Sequence, residues 1–264
     1  AHAGMHRYTF PSGKEASIII DLTHLLDNEY IYEAELEQTA ANEITGMRRT
    51  RGWTDNQYVY FVAQFSKPFQ TIDFIQNKKM VSAGVKLNGT DLQACLSFDN
   101  SNGEPVIAKV GLSIVSEKNA RENLETEVIG FDFDAVRSAA RSAWEQALSA
   151  ITVKGGNTDD LKNFYTAMYH SMVVPNVVSD INGEYRRHNM EIGQLPKGKV
   201  QYSTFSLWDT FRAWNPLMTL PMSVPRDRSS WQSVLPTRRC RYGLSIRSSI
   251  WNRKLPDGGD SVWP

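Results

Sequence analysis

The chain has 264 residues, of which 41% are hydrophobic and 11% aromatic, and its 29 basic side chains balance its 29 acidic ones. That is enough apolar material for one large core or two smaller ones, and it excludes a disordered chain. The charge balance excludes a global field favouring nucleic acid or an anionic membrane, and no apolar run reaches the roughly 18 residues of a spanning helix.

The first residues, Ala1-His2-Ala3-Gly4-Met5-His6, lack the basic start and apolar centre of a signal peptide; an exported protein that had lost its signal would begin the same way. From Arg7 to about Phe131 the apolar residues recur with period two. The runs are Ala16–Leu22, Tyr30–Leu36, Tyr58–Phe65, Gly84–Leu87, Leu92–Phe98 and Ala108–Val115. Tyr58-Val59-Tyr60-Phe61-Val62-Ala63 has the aromatic and β-branched composition of a strand covered on both faces. Ser12-Gly13, Asn88-Gly89 and Asn102-Gly103 are turn dipeptides at hairpin-like spacing. Short strands separated by such turns predict an antiparallel β-sandwich.

The period then changes. Val136, Ala139, Ala140, Ala143, Trp144, Ala147, Leu148 and Ile151 form one helical stripe, opened by Asp132 or Asp134 as a cap. After Gly155-Gly156, Asn157-Thr158-Asp159-Asp160 opens a second helix with the stripe Leu161, Phe164, Tyr165, Met168, Tyr169 and Met172, stopping before Pro175. A third helical pattern covers about Ser206 to Leu220. Strands followed by helices predict two domains of different class: a sandwich over 1–131 and a helical region over 132–221. Residues 222–264 differ from both. After Met222 the chain carries eight basic residues, three acids (Asp227, Asp257, Asp260), eight serines and Trp231, Trp251 and Trp263, with no glutamate or alanine. Basic residues interleaved with aromatics suit single-stranded nucleic acid. A frameshifted tail explains the same change in composition, and no nucleic-acid partner is expected.

Cys95 and Cys240 suit neither a disulfide framework nor a zinc site, and the five histidines are scattered. His170 reads as packing or surface. The neighbouring Asp21 and His24 have the chemistry of an acid–base pair but no third partner, and are not assigned one.

Five blocks resemble the α-mannosidases of glycoside hydrolase family 92, in that family's order. They are Ala3-Gly4-Met5-His6-Arg7-Tyr8-Thr9-Phe10-Pro11; Gly52-Trp53 with Tyr58–Ala63 and Phe65-Ser66-Lys67-Pro68-Phe69; Ala108–Ser113 with Ala120-Arg121-Glu122-Asn123-Leu124; Phe164–Ser171; and Tyr202-Ser203-Thr204-Phe205-Ser206-Leu207-Trp208-Asp209-Thr210-Phe211-Arg212. The last is the most specific.

The resemblance implies a β-sandwich followed by the first helices of an (α/α) toroid, with the active site between them. It implies removal of terminal α-linked mannose, with α-1,2 the commonest linkage, by inversion and with calcium as cofactor. It makes Trp208 and Asp209 the substrate-binding residues. The ring packs on the sugar's apolar face, and the carboxylate accepts hydroxyl hydrogen bonds. The competing reading of Asp209 is an ion pair with Arg212 along the same helix. His6, Arg7, Tyr8 and Trp53 are expected to serve folding.

The family's first segment, with a glycine-rich loop near the sugar, is expected before residue 1, and its acid and base downstream of Arg212. Nothing after Arg212 resembles them, so no catalytic residue and no metal ligand is assigned, and the chain is expected to be a fragment without turnover. The alternative is a non-catalytic module that binds mannose-containing glycans. By resemblance the location is secreted, periplasmic or at a bacterial cell surface. The helical stripes, which further toroid helices would cover, are expected to form an exposed apolar patch that promotes self-association.

Overall fold

The computed structural model describes residues 1–25, 29–52, 54–81, 86–203, 207–219 and 259–262. Ten strands precede the first helix: β1 (Ala3–Tyr8), β2 (Ala16–Asp21), β3 (Tyr30–Ala40), β4 (Glu43–Arg51), β5 (Gln57–Phe65), β6 (Phe69–Gln76), β7 (Lys79–Val81), β8 (Lys86–Gly89), β9 (Leu92–Phe98) and β10 (Val106–Ser113). Then come α1 (Glu117–Glu127), α2 (Phe133–Leu148), α3 (Thr158–Met172), β11 (Glu184–Arg186), β12 (Ile192–Gln194), α4 (Leu207–Thr210), α5 (Trp214–Thr219) and β13 (Gly259–Val262).

The strands form the expected antiparallel sandwich. One sheet has the order β13-β1-β10-β5-β4-β3-β8 and the facing sheet β2-β9-β6-β7. Leu36, Ile44, Phe61, Phe65, Leu92, Leu96, Phe98 and Val106 fill the space between them. The alternation in β9 is complete: Leu92, Ala94, Leu96 and Phe98 are buried, and Gln93, Cys95 and Ser97 are less so. β5 is covered on both faces, as its composition predicts. Phe61 and Ala63 enter the sandwich core, while Val62 enters a second core under α1 with Met5, Ile107, Ala120 and Leu124.

The turn dipeptides are not hairpins. Ser12-Gly13 and Asn102-Gly103 lie on connections between strands of opposite sheets, and Asn88-Gly89 ends β8, paired with β3, just before the chain crosses to β9. A true two-residue hairpin joins β6 to β7 at Asn77-Lys78, both with positive φ (51° and 62°). That is the conformation of a type I′ turn, here without the glycine that usually announces it.

Three further expectations are corrected. The period-two region does not run to Phe131, because α1 occupies 117–127. Ser116 caps α1 by accepting the Asn119 N–H at 3.1 Å. α1 has no wide apolar stripe to detect: alongside Ala120 and Leu124 it buries the polar Asn119 and Asn123. A two-stranded ribbon, β11 with β12, stands between 172 and 207, where no element was expected. The third helical pattern is broken into α4 and α5. Pro216 supplies no N–H to the carbonyl of residue 212, and its ring crowds that carbonyl, so one helix cannot run through both. The tail assigned to 222–264 lies outside the described residues except for β13, which pairs with β1.

The other helices match their signals. Asp132 caps α2 by accepting the Ala135 N–H at 2.9 Å, and Asn157 with Asp160 forms a reciprocal capping box on α3. Trp144 of α2 meets Tyr169 of α3 edge to face at 4.6 Å. Their stripes are little covered: α2 fully buries only Phe133 and Ala140, and α3 only Met168.

α1 is fixed to the large sheet at close range. A Cβ at Gly111 would come within 2.3 Å of the Ala120 carbonyl oxygen and 2.6 Å of Leu124 Cβ, so only glycine permits this approach. Arg121 of α1 grips the buried Glu43 of β4 through two hydrogen bonds of 2.7 and 2.8 Å. Burial alone would raise the Glu43 carboxyl. Hydrogen bonds from Arg121, Thr39 and Gln64, with the Arg121 charge, outweigh it and hold the pKa at about 2.

Two predictions follow from this packing. Gly111→Ala should lower stability by about 1–3 kcal/mol through overpacking, read as a lower urea midpoint; an unchanged midpoint would show that α1 is free to shift. His6, 3% exposed in β1, is pushed by burial from its ordinary 6.5 to about 4. The unfolded chain therefore takes up this proton first, and the stability present above about pH 6.5 is lost as pH falls towards 4. The slope should reach up to about 1.4 kcal/mol per pH unit. Denaturation at several pH values should show that limb in the wild type and its removal in His6→Gln; an identical limb in the variant would reject the assignment.

Candidate functional site

Trp208 and Asp209 sit on the single turn of α4, and both side chains are exposed, Trp208 by 84%. Asp209 is not engaged by Arg212: no ion pair within 4.0 Å joins them among the described residues, and the Arg212 guanidinium lies over the Phe211 ring at 5.4 Å. The ion-pair reading of Asp209 is therefore set aside. An exposed indole and an exposed carboxylate on one turn have the chemistry a sugar needs, a flat apolar surface and an acceptor for hydroxyls.

So short a helix cannot hold its own position, and it is held from both sides. Upstream, the Asn176 N–H donates to Ser203 Oγ at 2.9 Å and the Ser203 N–H to the Asn176 carbonyl at 2.7 Å. Val177 bridges Tyr202 in the same narrow strip. Downstream, Trp214 Nε1 of α5 donates to the Ser171 carbonyl of α3 at 2.7 Å.

The upstream strip is anchored to the sandwich by residues that sequence reasoning missed. Asp180 is buried and accepts from Ser113 Oγ of β10 at 2.7 Å and from Asn119 and Asn123 of α1 at 2.8 and 2.7 Å. Arg186 of β11 donates to the carbonyls of Ile114 and Val115 at 2.8 and 3.1 Å, and it lies over the Tyr58 ring at 4.4 Å. The available signal was the pair Asn119 and Asn123, two amides four residues apart on the helix face that also carries Ala120.

The remaining candidates serve the fold. His6 stacks with Tyr8 at 6.0 Å, and Arg7 lies over the Phe133 ring at 4.3 Å while donating to Asp134. They join β1 to α2. Asp21 accepts the Thr23 N–H at 2.8 Å and its hydroxyl at 2.7 Å, the His24 carbonyl accepts from Arg48 at 2.6 Å, and among the described residues no bond joins the Asp21 and His24 side chains. His170 is on the exposed surface in the last turn of α3. Trp53, Cys240, Asp227 and Asp257 lie outside the described residues. Among the described residues no group of three or more His, Cys, Asp or Glu side chains is placed to hold a metal ion. No chemical step is derived through a metal ion.

Comparison with known proteins bears directly on this architecture. The Glycosyl hydrolase family 92 N-terminal domain matches residues 1–113, and the Glycosyl hydrolase family 92 catalytic domain matches residues 119–255. An uncharacterised secreted glycosidase of Arthroderma benhamiae is 29% identical over 241 residues, covering 81% of this chain and 30% of its own length. The structure of a family 92 alpha-mannosidase from Bacteroides thetaiotaomicron, also solved with mannoimidazole, superposes with a TM-score of 0.77 at 33% identity. The match covers 82% of this chain and 30% of that one. An inverting family 92 mannosidase of the same organism shares the fold at 22% identity and a TM-score of 0.73, over 82% of this chain and 29% of its own. The chain thus spans about 30% of the length of these relatives. A sandwich followed by helices, with both family domains matched in order along it, makes this chain a member of glycosyl hydrolase family 92.

Proposed function

We propose that the chain is the sandwich and first helical part of an α-mannosidase, and that Trp208 and Asp209 contact the terminal mannose of a glycan. The observation carrying this reading is the exposure of both side chains on the one turn of α4, with Asp209 unclaimed by Arg212. In the whole enzyme the reaction would be inverting hydrolysis of α-linked, chiefly α-1,2, mannose. That mechanism needs a general acid and a general base about 6.5–9.5 Å apart, with water between. Asp209 in this role is a hydroxyl acceptor and moves no proton. The chain by itself is proposed to bind without turning over, since the acid and base are each worth about 10²–10⁴-fold in rate. Calcium belongs to the same proposal, held by donors other than those described. Secretion is proposed from the secreted relative.

Titration with mannoimidazole tests the site. Loss of a hydrogen bond to a charged group costs about 1.5–3 kcal/mol, so Asp209→Asn should weaken binding about ten- to a hundred-fold, and Trp208→Ala should do likewise. Affinity indifferent to both changes would reject the assignment. Release of mannose from an aryl α-mannoside by the pure chain, dependent on calcium, would overturn the proposal that it lacks turnover. A glycan-binding module without catalysis is the second reading, favoured by the outward Trp208; binding of extended mannose-containing glycans far tighter than of mannoimidazole would put it first.

The thinly covered faces of α2 and α3 should also drive self-association, since Tyr169 of α3 and, just past its end, Val173 and Val174 are each at least 40% exposed. Light scattering should show mass rising with concentration; a monodisperse monomer with little hydrophobic dye binding would contradict this.

A further inference from the structure

Asp180 is 4% exposed, and among the described residues every hydrogen-bond partner of its carboxylate is neutral. Its Oδ2 accepts from Ser113 Oγ and Asn119 Nδ2, and its Oδ1 from Asn123 Nδ2. Neither amide can turn round without loss. Asn119 Oδ1 accepts from Ser116 Oγ at 2.9 Å, and its Nδ2 also donates to Glu184. Asn123 Nδ2 also donates to the Leu112 carbonyl at 2.9 Å, and its Oδ1 accepts the Ile181 N–H at 3.0 Å. Ser113 Oγ accepts the Val115 N–H, which directs its own proton towards Asp180. Three donors with fixed directions therefore converge on one acceptor.

What Asp180 holds is the strip leading to α4. Val178 and Ser179 donate their N–H groups to the Gln201 carbonyl at 2.9 and 3.3 Å, and Ser179 Oγ accepts the Gln201 N–H at 3.0 Å. Ser203, five positions before Trp208, is bonded to Asn176 in both directions. The Asp180 N–H donates to the Glu184 carbonyl at 2.8 Å, so the β11–β12 ribbon starts from the same residue.

We infer that Asp180 is a positioning residue, whose carboxylate sets where Trp208 and Asp209 stand relative to the sandwich. Its consequence for sugar binding rests on the reading of those two residues as glycan contacts; its mechanical part does not. Asp180→Asn keeps the shape but turns one acceptor into a donor facing a donor that cannot reorient. An unsatisfied buried pair should increase local opening about ten- to a hundred-fold.

Hydrogen exchange and mannoimidazole titration of the full chain separate the outcomes. Expected in Asp180→Asn is faster exchange by about that factor at 176–180, 201–203 and 207–210. Protection in β5 and β10 and the global unfolding midpoint should be retained, and mannoimidazole should bind at least about ten-fold more weakly. Asn119→Ala, which removes one donor of the three, should shift the same amides in the same direction by less, and it serves if Asp180→Asn does not fold. Unchanged exchange in those segments, or a lowered midpoint with unchanged affinity and local exchange, would overturn the inference. A wild-type chain that never binds mannoimidazole would reject the glycan contacts, while the exchange data would still decide the role of Asp180.

Discussion

The close approach of α1 to the large sheet is the constraint on which the rest of the molecule depends. At Gly111 the helix lies so near that one added methyl group would meet the Ala120 carbonyl oxygen at 2.3 Å. That approach lets eleven residues join three parts of the chain. Ala120 and Leu124 extend the apolar packing of Met5 and Val62. Arg121 ties the helix to Glu43 on β4, and Asn119 and Asn123 face the loop that carries Asp180. At the far end Lys109 donates to the Val128 carbonyl at 3.4 Å and lies 5.1 Å from the Phe131 ring, holding the exit towards α2. A helix displaced by an ångström would loosen all of these together, because cores and hydrogen-bonded networks have few intermediate arrangements.

Much of the sandwich was legible because its chemistry is periodic. β9 alternates without exception, and β5 announced its two covered faces through Phe61 and Val62. The connections were less legible. A dipeptide such as Asn102-Gly103 reports that the backbone turns there, with φ +68° at the glycine, but not whether the next strand pairs with the last or crosses to the other sheet. α1 escaped for a different reason. Its buried face is half amide, and burial of Asn119 and Asn123 is stabilising only because Asp180, more than fifty residues later, accepts from both. No local pattern contains that information.

The candidate site divides along the same line. Trp208 and Asp209 stood out through family resemblance to a specific run of residues, and the structure adds that Asp209 is not consumed by Arg212. The resemblance did not single out the contacts that support them, although Ser171 and Ser203 lie within the resembling blocks. Trp214 reaches back to Ser171, and Ser203 to Asn176, through bonds to main-chain groups that any residue could supply.

Glu43 and Asp180 show two ways of burying a carboxylate at this joint. Glu43 meets a guanidinium, a hydroxyl and an amide, so burial opposes hydrogen bonding, and the bonds from Arg121, Thr39 and Gln64, with the Arg121 charge added, prevail. Asp180 meets two amides and a hydroxyl, and no opposite charge is needed because all three present protons. An amide at 180 would fill the same volume but bring a donor of its own, and an apolar residue would orphan three donors at once. Only an acceptor on both oxygens completes the set. The selection of aspartate at 180 is therefore a demand for direction more than for stability. Direction is what a one-turn helix bearing an exposed tryptophan and carboxylate cannot supply for itself.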